Sequence, residues 1–203
     1  SKLLDYLIKK EKINLIFHAA AYKHVGILQE NINSAIRNNI FGTQNVLLSA
    51  KKNKVPIVTI STDKAVRPTS ILGLTKRISE IICLKHNNRN FSSKVVRFGN
   101  VFGSVGSAVP TFISQINNRM PITITHKNVK RFFMTLNDAC FLLLWSVKIK
   151  NVNNVLLLNM GKPIKILDIV NSLIKIKQKV DPYYSFIIKT IGLHEGEKIN
   201  EEL

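Results

Sequence analysis

Between Val55 and Ile82 the chain changes its hydrophobic period once, and that change limits what it can fold into. Val55-Pro56-Ile57-Val58-Thr59-Ile60 is a short apolar run, read as a buried strand. Pro68 and Gly73 punctuate the polar stretch that follows. From about Ser70, Ile71, Leu74, Ile78, Ile81 and Ile82 recur at helical spacing. A strand that hands over to a helix in this way is one step of a layered α/β fold. Thr62, Asp63 and Lys64 then sit at the carboxyl end of a strand, where open α/β sheets bind ligands. Lys76, a turn or more into the helix, is placed to point back at the same spot. One hydroxyl, one carboxylate and two amines converge on a small volume. The plain alternative is a strand, a polar loop and a solvated helix, since Asp and Lys are common in loops.

The same handover occurs on either side. Ile13 to Phe17 is a short strand that runs into His18-Ala19-Ala20-Ala21-Tyr22-Lys23-His24-Val25, where small residues allow close approach of a flat ligand or a simple packed turn. Asn31 to Ser49 has a helical pattern interrupted by Asn38, Asn39, Gly42 and Thr43. Polar and small residues are unfavourable inside a helix, which implies that this face touches a cofactor or a neighbouring strand. Lys94 to Phe98 is a further strand and delivers Gly99-Asn100-Val101-Phe102-Gly103-Ser104-Val105-Gly106-Ser107. Those glycines do not follow the GxGxxG spacing, and no P-loop Lys-Ser/Thr comes after them. Alternating strands and helices predict an α/β fold: a partial Rossmann-like, doubly wound parallel sheet over residues 1–105. Residues 106–203 read as a smaller mixed α/β region, with helices at Pro110–Asn118, Asn137–Lys148 and Ile166–Ile176 and strands at Ile122–Thr125, Val155–Leu158 and Tyr184–Ile188. Arg131 in that region suits a phosphate, bidentately, or a nearby carboxylate.

Composition excludes some classes. At 203 residues and 45% apolar, the chain has enough material for a core, and global disorder is excluded. The net charge of +18 raises nucleic acid as a partner. The lysines are scattered, however, and Asn and Ile are abundant, so a compositional drift explains the charge without a polyanion; no nucleic-acid partner is expected. No run approaches membrane-span length, and the early lysines do not make a signal peptide. Cys83 and Cys140 fall in apolar helical patterns and are expected as buried free thiols in a reducing, cytoplasmic setting. No Cys/His spacing points to a metal.

Six segments, FHAAAYKHV, NNIFGTQNV, ISTDKAVRPTSILGLTKR, VVRFGNVFGSVGSAVP, ITITHKNVKRFFMT and LNMGKPIKILDIV, occur in the order found in one family. Together they resemble the nucleotide-sugar 4,6-dehydratases of bacterial surface-polysaccharide biosynthesis, which are extended short-chain dehydrogenase/reductases acting on UDP-N-acetylglucosamine. The resemblance covers nearly the whole chain. It implies tightly held NAD and an internal redox cycle: oxidation at C4 of the sugar, loss of water across C5 and C6, and return of hydride to C6. It further implies roles for particular residues. Thr62 would hydrogen-bond the C4 hydroxyl, Asp63 would be the acid for the departing C6 hydroxyl, and Lys64 the base at C5. Lys76 would hold the nicotinamide ribose. Ala19, Ala20, Asn39, Asn100 and Val101 match cofactor-lining positions, and Lys23, Ser104, His126 and Arg131 substrate-side positions. The family also implies a UDP-sugar substrate, a homo-oligomer and, from the RFFMT and LNMGKPIKI forms, a full-length protein of the longer, inner-membrane-anchored branch with this domain in the cytoplasm.

The departures from the family are specific. The chain is expected to be an N-terminally truncated piece, because the glycine-rich dinucleotide turn and its acidic ribose ligand are not among these residues. Leu72 stands where the superfamily has Tyr, or Met in the long branch, and cannot donate a proton. Val105 and His194 stand where the family carries arginines suited to a sugar diphosphate.

Overall fold

A computed structural model describes residues 2–150 and 153–203. In chain order the elements are α1 (Lys2–Lys10), β1 (Ile16–His18), α2 (Val25–Glu30), α3 (Ile32–Ala35), a π-helical stretch (Ile36–Gly42), α4 (Thr43–Lys52), β2 (Ile57–Thr62), a 3-10 turn (Asp63–Ala65), α5 (Ile71–His86), β3 (Ser93–Phe98) and β4 (Asn100–Val101). Then come α6 (Ala108–Asn117), β5 (Ile122–Ile124), β6 (Lys130–Arg131), β7 (Phe133–Met134), α7 (Leu136–Lys148), β8 (Val155–Leu157), β9 (Ile164–Lys165), α8 (Ile166–Val180) and β10 (Ile188–Thr190). The described chain divides into two units.

The first unit comprises residues 1–98, 137–158 and 202–203. Its sheet runs β1-β2-β3-β8, parallel throughout, with Ile16 opposite Ile57, Val58 opposite Lys94, and Val96 opposite Leu156. Alternate residues serve opposite faces. Ile57 and Val95 pack with Leu47 and Ala50 of α4 and Cys83 of α5. Val58 and Val96 pack with Leu142 of α7. Both faces are therefore covered, as parallel sheets require, and this is the Rossmann-like arrangement expected. Burying each of these side chains contributes on the order of 1.5–3 kcal/mol.

Two sequence expectations change here. The strand at Val155, expected in the smaller region, extends this sheet, and α7 returns with it. Its apolar residues find the open edge of β3, a long-range pairing that no local pattern announces. Cys140, expected buried, is exposed, while Cys83 is buried. On α7 the stripe that meets the sheet is Ala139, Leu142 and Ser146, so Cys140 lies off it.

The second unit comprises residues 99–136 and 159–201. Its core gathers Val109, Phe112 and Ile116 of α6, Ile122 and Ile124 of β5, and Ile166, Ile169, Val170 and Ile174 of α8. β5 pairs in parallel with β10, β4 with β7, and β6 pairs antiparallel with β9. The last strand begins at Ile188 rather than Tyr184. Tyr184 instead closes a turn onto the Asp181 carbonyl and is buried in the core. Among the described residues no helix is long and apolar enough to cross a membrane.

Candidate active site at the carboxyl end of the second strand

The site in the first unit is built by the β2–α5 crossing. Thr62, the last residue of β2, caps the 3-10 turn by accepting from the Lys64 backbone N–H at 3.4 Å. Its hydroxyl donates to Asp63 Oδ1 at 2.9 Å, and Lys64 Nζ donates to the same oxygen at 3.0 Å. Asp63 is wholly buried, and its Oδ2 has no hydrogen-bond partner among the described residues. Thr62 and Lys64 are partly exposed, so they are its two routes outward. The sequence-predicted trio thus forms one hydrogen-bonded run.

α5 starts where it does because Ser70 caps it, accepting from the Gly73 N–H at 3.1 Å. Gly73 is required there. A Cβ would fall on the Lys64 carbonyl oxygen and stand 3.1 Å from Pro68 Cβ. The missing side chain lets the first turn of α5 press directly onto the Lys64 backbone. Apolar spacing locates this helix but misreads its buried face. Leu74 and Ile81 are exposed, whereas Thr75, Lys76, Ser79, Glu80 and Cys83 are buried. Leu72 packs with Leu28 and Ala35 of α2 and α3.

Lys76 is 6% exposed. Desolvation holds its ammonium below the ordinary lysine range, against the opposing pull of Cys83 and Glu80. Among the described residues it has neither a hydrogen-bond partner nor a salt bridge. His18, at the end of β1, is buried and pushed down to about 4, first by desolvation and then by the Lys76 charge. Its Nε2 lies 2.9 Å from Thr43 Oγ1, which itself donates to the Asn39 carbonyl at 2.7 Å. That hydroxyl proton is already committed, so the imidazole carries its own proton on Nε2 and is neutral.

The polar interruption of the helical pattern over 31–49 is the π-helical stretch, a geometry often found beside functional sites. Asn39 in it has no exposed surface. Its Oδ1 accepts from the Tyr22 N–H at 2.8 Å, and its Nδ2 donates to the Tyr22 carbonyl at 3.1 Å and to Thr75 Oγ1 at 3.2 Å. Its amide holds the loop after β1 against α5. That loop presents Ala19 and Ala20, both exposed. Lys23 borders a cavity of about 570 Å³ with Ala21, Tyr22, Ile27 and Leu28.

The remaining predicted residues lie in the second unit. Asn100 donates its backbone N–H and its Nδ2 to the Phe132 carbonyl at 2.8 and 3.1 Å. Val101, beside it on β4, pairs with Met134. Ser104 lies in a turn between Gly103 and Gly106, both at positive φ. His126 Nδ1 accepts from the Asn128 N–H at 3.1 Å, a local loop contact. Arg131 takes the carboxylate alternative. Its Nη2 donates to Glu197 Oε1 at 2.8 Å, its Nη1 to the carbonyls of Lys130 and Ile199, and its Nε lies 3.9 Å from Glu201 Oε1. Sequence reasoning missed Glu197 and Glu201 as its partners, and missed Glu80, Ser61 and Arg97 altogether. The one signal for the latter was an acid one turn after Lys76.

Comparison with known proteins agrees with this architecture. Residues 1–203 match the family model described as polysaccharide biosynthesis protein. The chain is 44% identical over 191 residues to the capsular polysaccharide biosynthesis protein CapD of Staphylococcus aureus, covering 93% of this chain and 32% of CapD. It therefore spans about a third of the length of that relative. Among solved structures, Pen from Bacillus thuringiensis superposes with a TM-score of 0.90 at 36% identity, over 98% of this chain and 62% of Pen. A UDP-glucuronic acid 4-epimerase from Bacillus cereus, solved with UDP-glucuronic acid and NAD, shares the fold at a TM-score of 0.85 and 23% identity, over 98% of this chain and 68% of its own. With the whole chain matched and the Rossmann-like sheet in place, this protein belongs to the polysaccharide biosynthesis protein family.

Proposed function

We propose that the chain is the catalytic portion of an NAD-dependent nucleotide-sugar 4,6-dehydratase, a hydro-lyase converting a UDP-N-acetylhexosamine to a UDP-4-keto-6-deoxy sugar for surface glycans. The observation that carries this reading is the hydrogen-bonded run of Thr62, Asp63 and Lys64 at the end of β2. Dehydration needs a base at C5 and an acid at the C6 oxygen. As it stands, Lys64 and Asp63 are an ion pair at 3.0 Å. Moving one proton along that bond leaves a neutral amine, able to take the C5 proton, and a carboxylic acid. Because Asp63 is buried, its proton reaches the departing hydroxyl by way of Thr62 or Lys64. Thr62 also orients the C4 hydroxyl.

The residues present fit the nicotinamide-ribose half of NAD. Ala19 and Ala20 are exposed and present only methyl groups, and the Lys76 ammonium makes no hydrogen bond or salt bridge to a described residue. When bound, NAD supplies the hydride acceptor and donor. Asn100 and Val101 are proposed for the cofactor, and Lys23, Ser104, His126 and Arg131 for the UDP-sugar. Association of copies as a homo-oligomer belongs to the same proposal. Membrane anchoring in the longer branch, with this domain in the cytoplasm, belongs to the same proposal.

The test supplies the preceding dinucleotide-binding part of a relative and follows the 4-keto product. Turnover is expected, with solvent deuterium entering C5, whereas the hydrogen delivered to C6 is the one removed from C4. A C4-epimerised product without that label would replace dehydration by epimerisation. Lys64→Ala turning over at the parent rate would remove the assigned base.

A further inference from the structure

Glu80 takes no part in the chemistry assigned above. It lies one turn beyond Lys76 on α5 and is 1% exposed. Its carboxylate is nonetheless saturated. Oε1 accepts from Ser61 Oγ at 2.6 Å and Arg97 Nε at 2.7 Å; Oε2 accepts from Arg97 Nη2 at 2.7 Å and Arg77 Nη1 at 2.9 Å. The donors come from three elements. Ser61 immediately precedes Thr62 on β2, Arg97 is its register partner on β3, and Arg77 follows Lys76 on α5. The bond to Arg97 is the two-pronged kind, which tolerates little displacement.

We infer that Glu80 is a positioning residue: its carboxylate clamps α5 to the carboxyl ends of β2 and β3 and so sets where the Lys76 ammonium stands relative to Thr62. The inference rests on the roles proposed for Thr62 and Lys76. The placement of the clamp supports it. Its strand arm grips the residue next to Thr62, and its helix anchor shares a face with Lys76 at the i, i+4 spacing. It is flanked by a second polar tie, Ser79 Oγ donating to the Asn39 carbonyl at 2.8 Å. A helix whose buried stripe were apolar could slide along the sheet at small cost. A helix held by a buried bidentate pair cannot.

The clamp also carries charge. The titratable groups facing Lys76 are His18 from β1 and Glu80 and Cys83 from its own helix. Arg77 and Arg97 stand on Glu80, and the turn packed against α5 adds Asp63 and Lys64. Glu80 is the one buried carboxylate of this set on the Lys76 helix, and it favours the charged amine that burial opposes.

The test needs neither NAD nor sugar, so its outcome is independent of whether the proposed reaction takes place. The chain is prepared with carbon-13 at lysine Cε, and the Lys76 signal is assigned by its loss in Lys76→Arg. In Glu80→Gln, Lys76 is expected to titrate roughly one pH unit lower, the scale of losing one nearby opposite charge. Glu80→Asp, which keeps the charge, recovers at least half of that change. A folded Glu80→Gln chain in which Lys76 titrates as in the parent overturns the inference and leaves Glu80 a stabilising residue only. Should Glu80→Gln not fold, Ser61→Ala cuts the strand arm and keeps the charge. In a uniformly nitrogen-15-labelled chain, displaced amide signals at both Thr62 and Lys76 support the clamp; displacement at Thr62 alone overturns it.

Discussion

Lys76 and Arg131 are almost equally buried cations, and the two units treat them in opposite ways. Arg131 is satisfied by its own unit: Glu197, Glu201 and two backbone carbonyls take its guanidinium. Lys76 has no such partner among the described residues, although it is 6% exposed. Burying a charge without pairing it is costly. The first unit accepts that cost and places the surrounding acids so that none reaches the ammonium: Glu80 is tied to Ser61 and the arginines, and Asp63 to Thr62 and Lys64. A cation kept this way is ready for a ligand. A cation kept as Arg131 is must first leave Glu197 before it can meet a phosphate.

The largest effect that would break this contrast comes from the clamp. Arg97→Ala is expected to cost about 3–5 kcal/mol, the range for stripping one partner from a buried ion pair, read as lost hydrogen-exchange protection in β2 and β3. Arg131→Ala is expected to cost less, about 2–3 kcal/mol, read in β6 and β9, because Arg131 gives Glu197 one hydrogen bond where Arg97 gives Glu80 two. Equal losses would show that Arg131 is tied to its carboxylate as firmly as Arg97 is to Glu80.

The pH dependence of stability comes next. The folded pKa of His18 is about 4, below its ordinary 6.5. Above 6.5 the ring is neutral in both states and nothing is lost. As pH falls from 6.5 to 4 the unfolded chain takes up a proton that the folded chain refuses, so stability declines, and the contribution is fully lost below about 4. The total is about 3 kcal/mol. Denaturant unfolding of His18→Gln, which keeps a donor for Thr43, should be flatter across this window than the parent. Parallel curves would mean the ring is not held neutral.

Gly73→Ala is expected to cost about 1–3 kcal/mol, since the new methyl must push α5 off the Lys64 backbone. An unchanged midpoint would show that the close approach is unnecessary. The smallest effect sharpens the contrast from outside. Arg119 and Asp181 form an exposed ion pair on the second unit, and Arg119→Ala should change stability by no more than about 0.5 kcal/mol.

Much of the first unit is legible in the sequence because its signals are local. The Val55–Ile60 run, the trio after the strand and the helical spacing that begins near Ser70 are separated by few residues, and each lies near where the pattern puts it. What the pattern left out shares a cause. Val155 pairs with a strand some sixty residues earlier, as the register of Val95 with Val155 shows. Asn39 is recruited by Tyr22 and Thr75, and Arg131 by Glu197. In each case the partner is distant in sequence, and polar side chains have several partners of equal chemical merit until the fold brings one of them close.

Residue order alone determined that strands and helices alternate, that a hydroxyl, an acid and an amine follow one strand directly, and that helical spacing begins near Ser70, because these follow from local spacing. Only the tertiary structure decided which face of α5 turns inward. Hydrophobic spacing favours Leu74 and Ile81, but the bidentate bond between Glu80 and Arg97, with Ser61 and Ser79 beside it, rotates the polar stripe onto the sheet. Buried polar groups must be matched atom by atom, and that matching exists only when three separate segments meet.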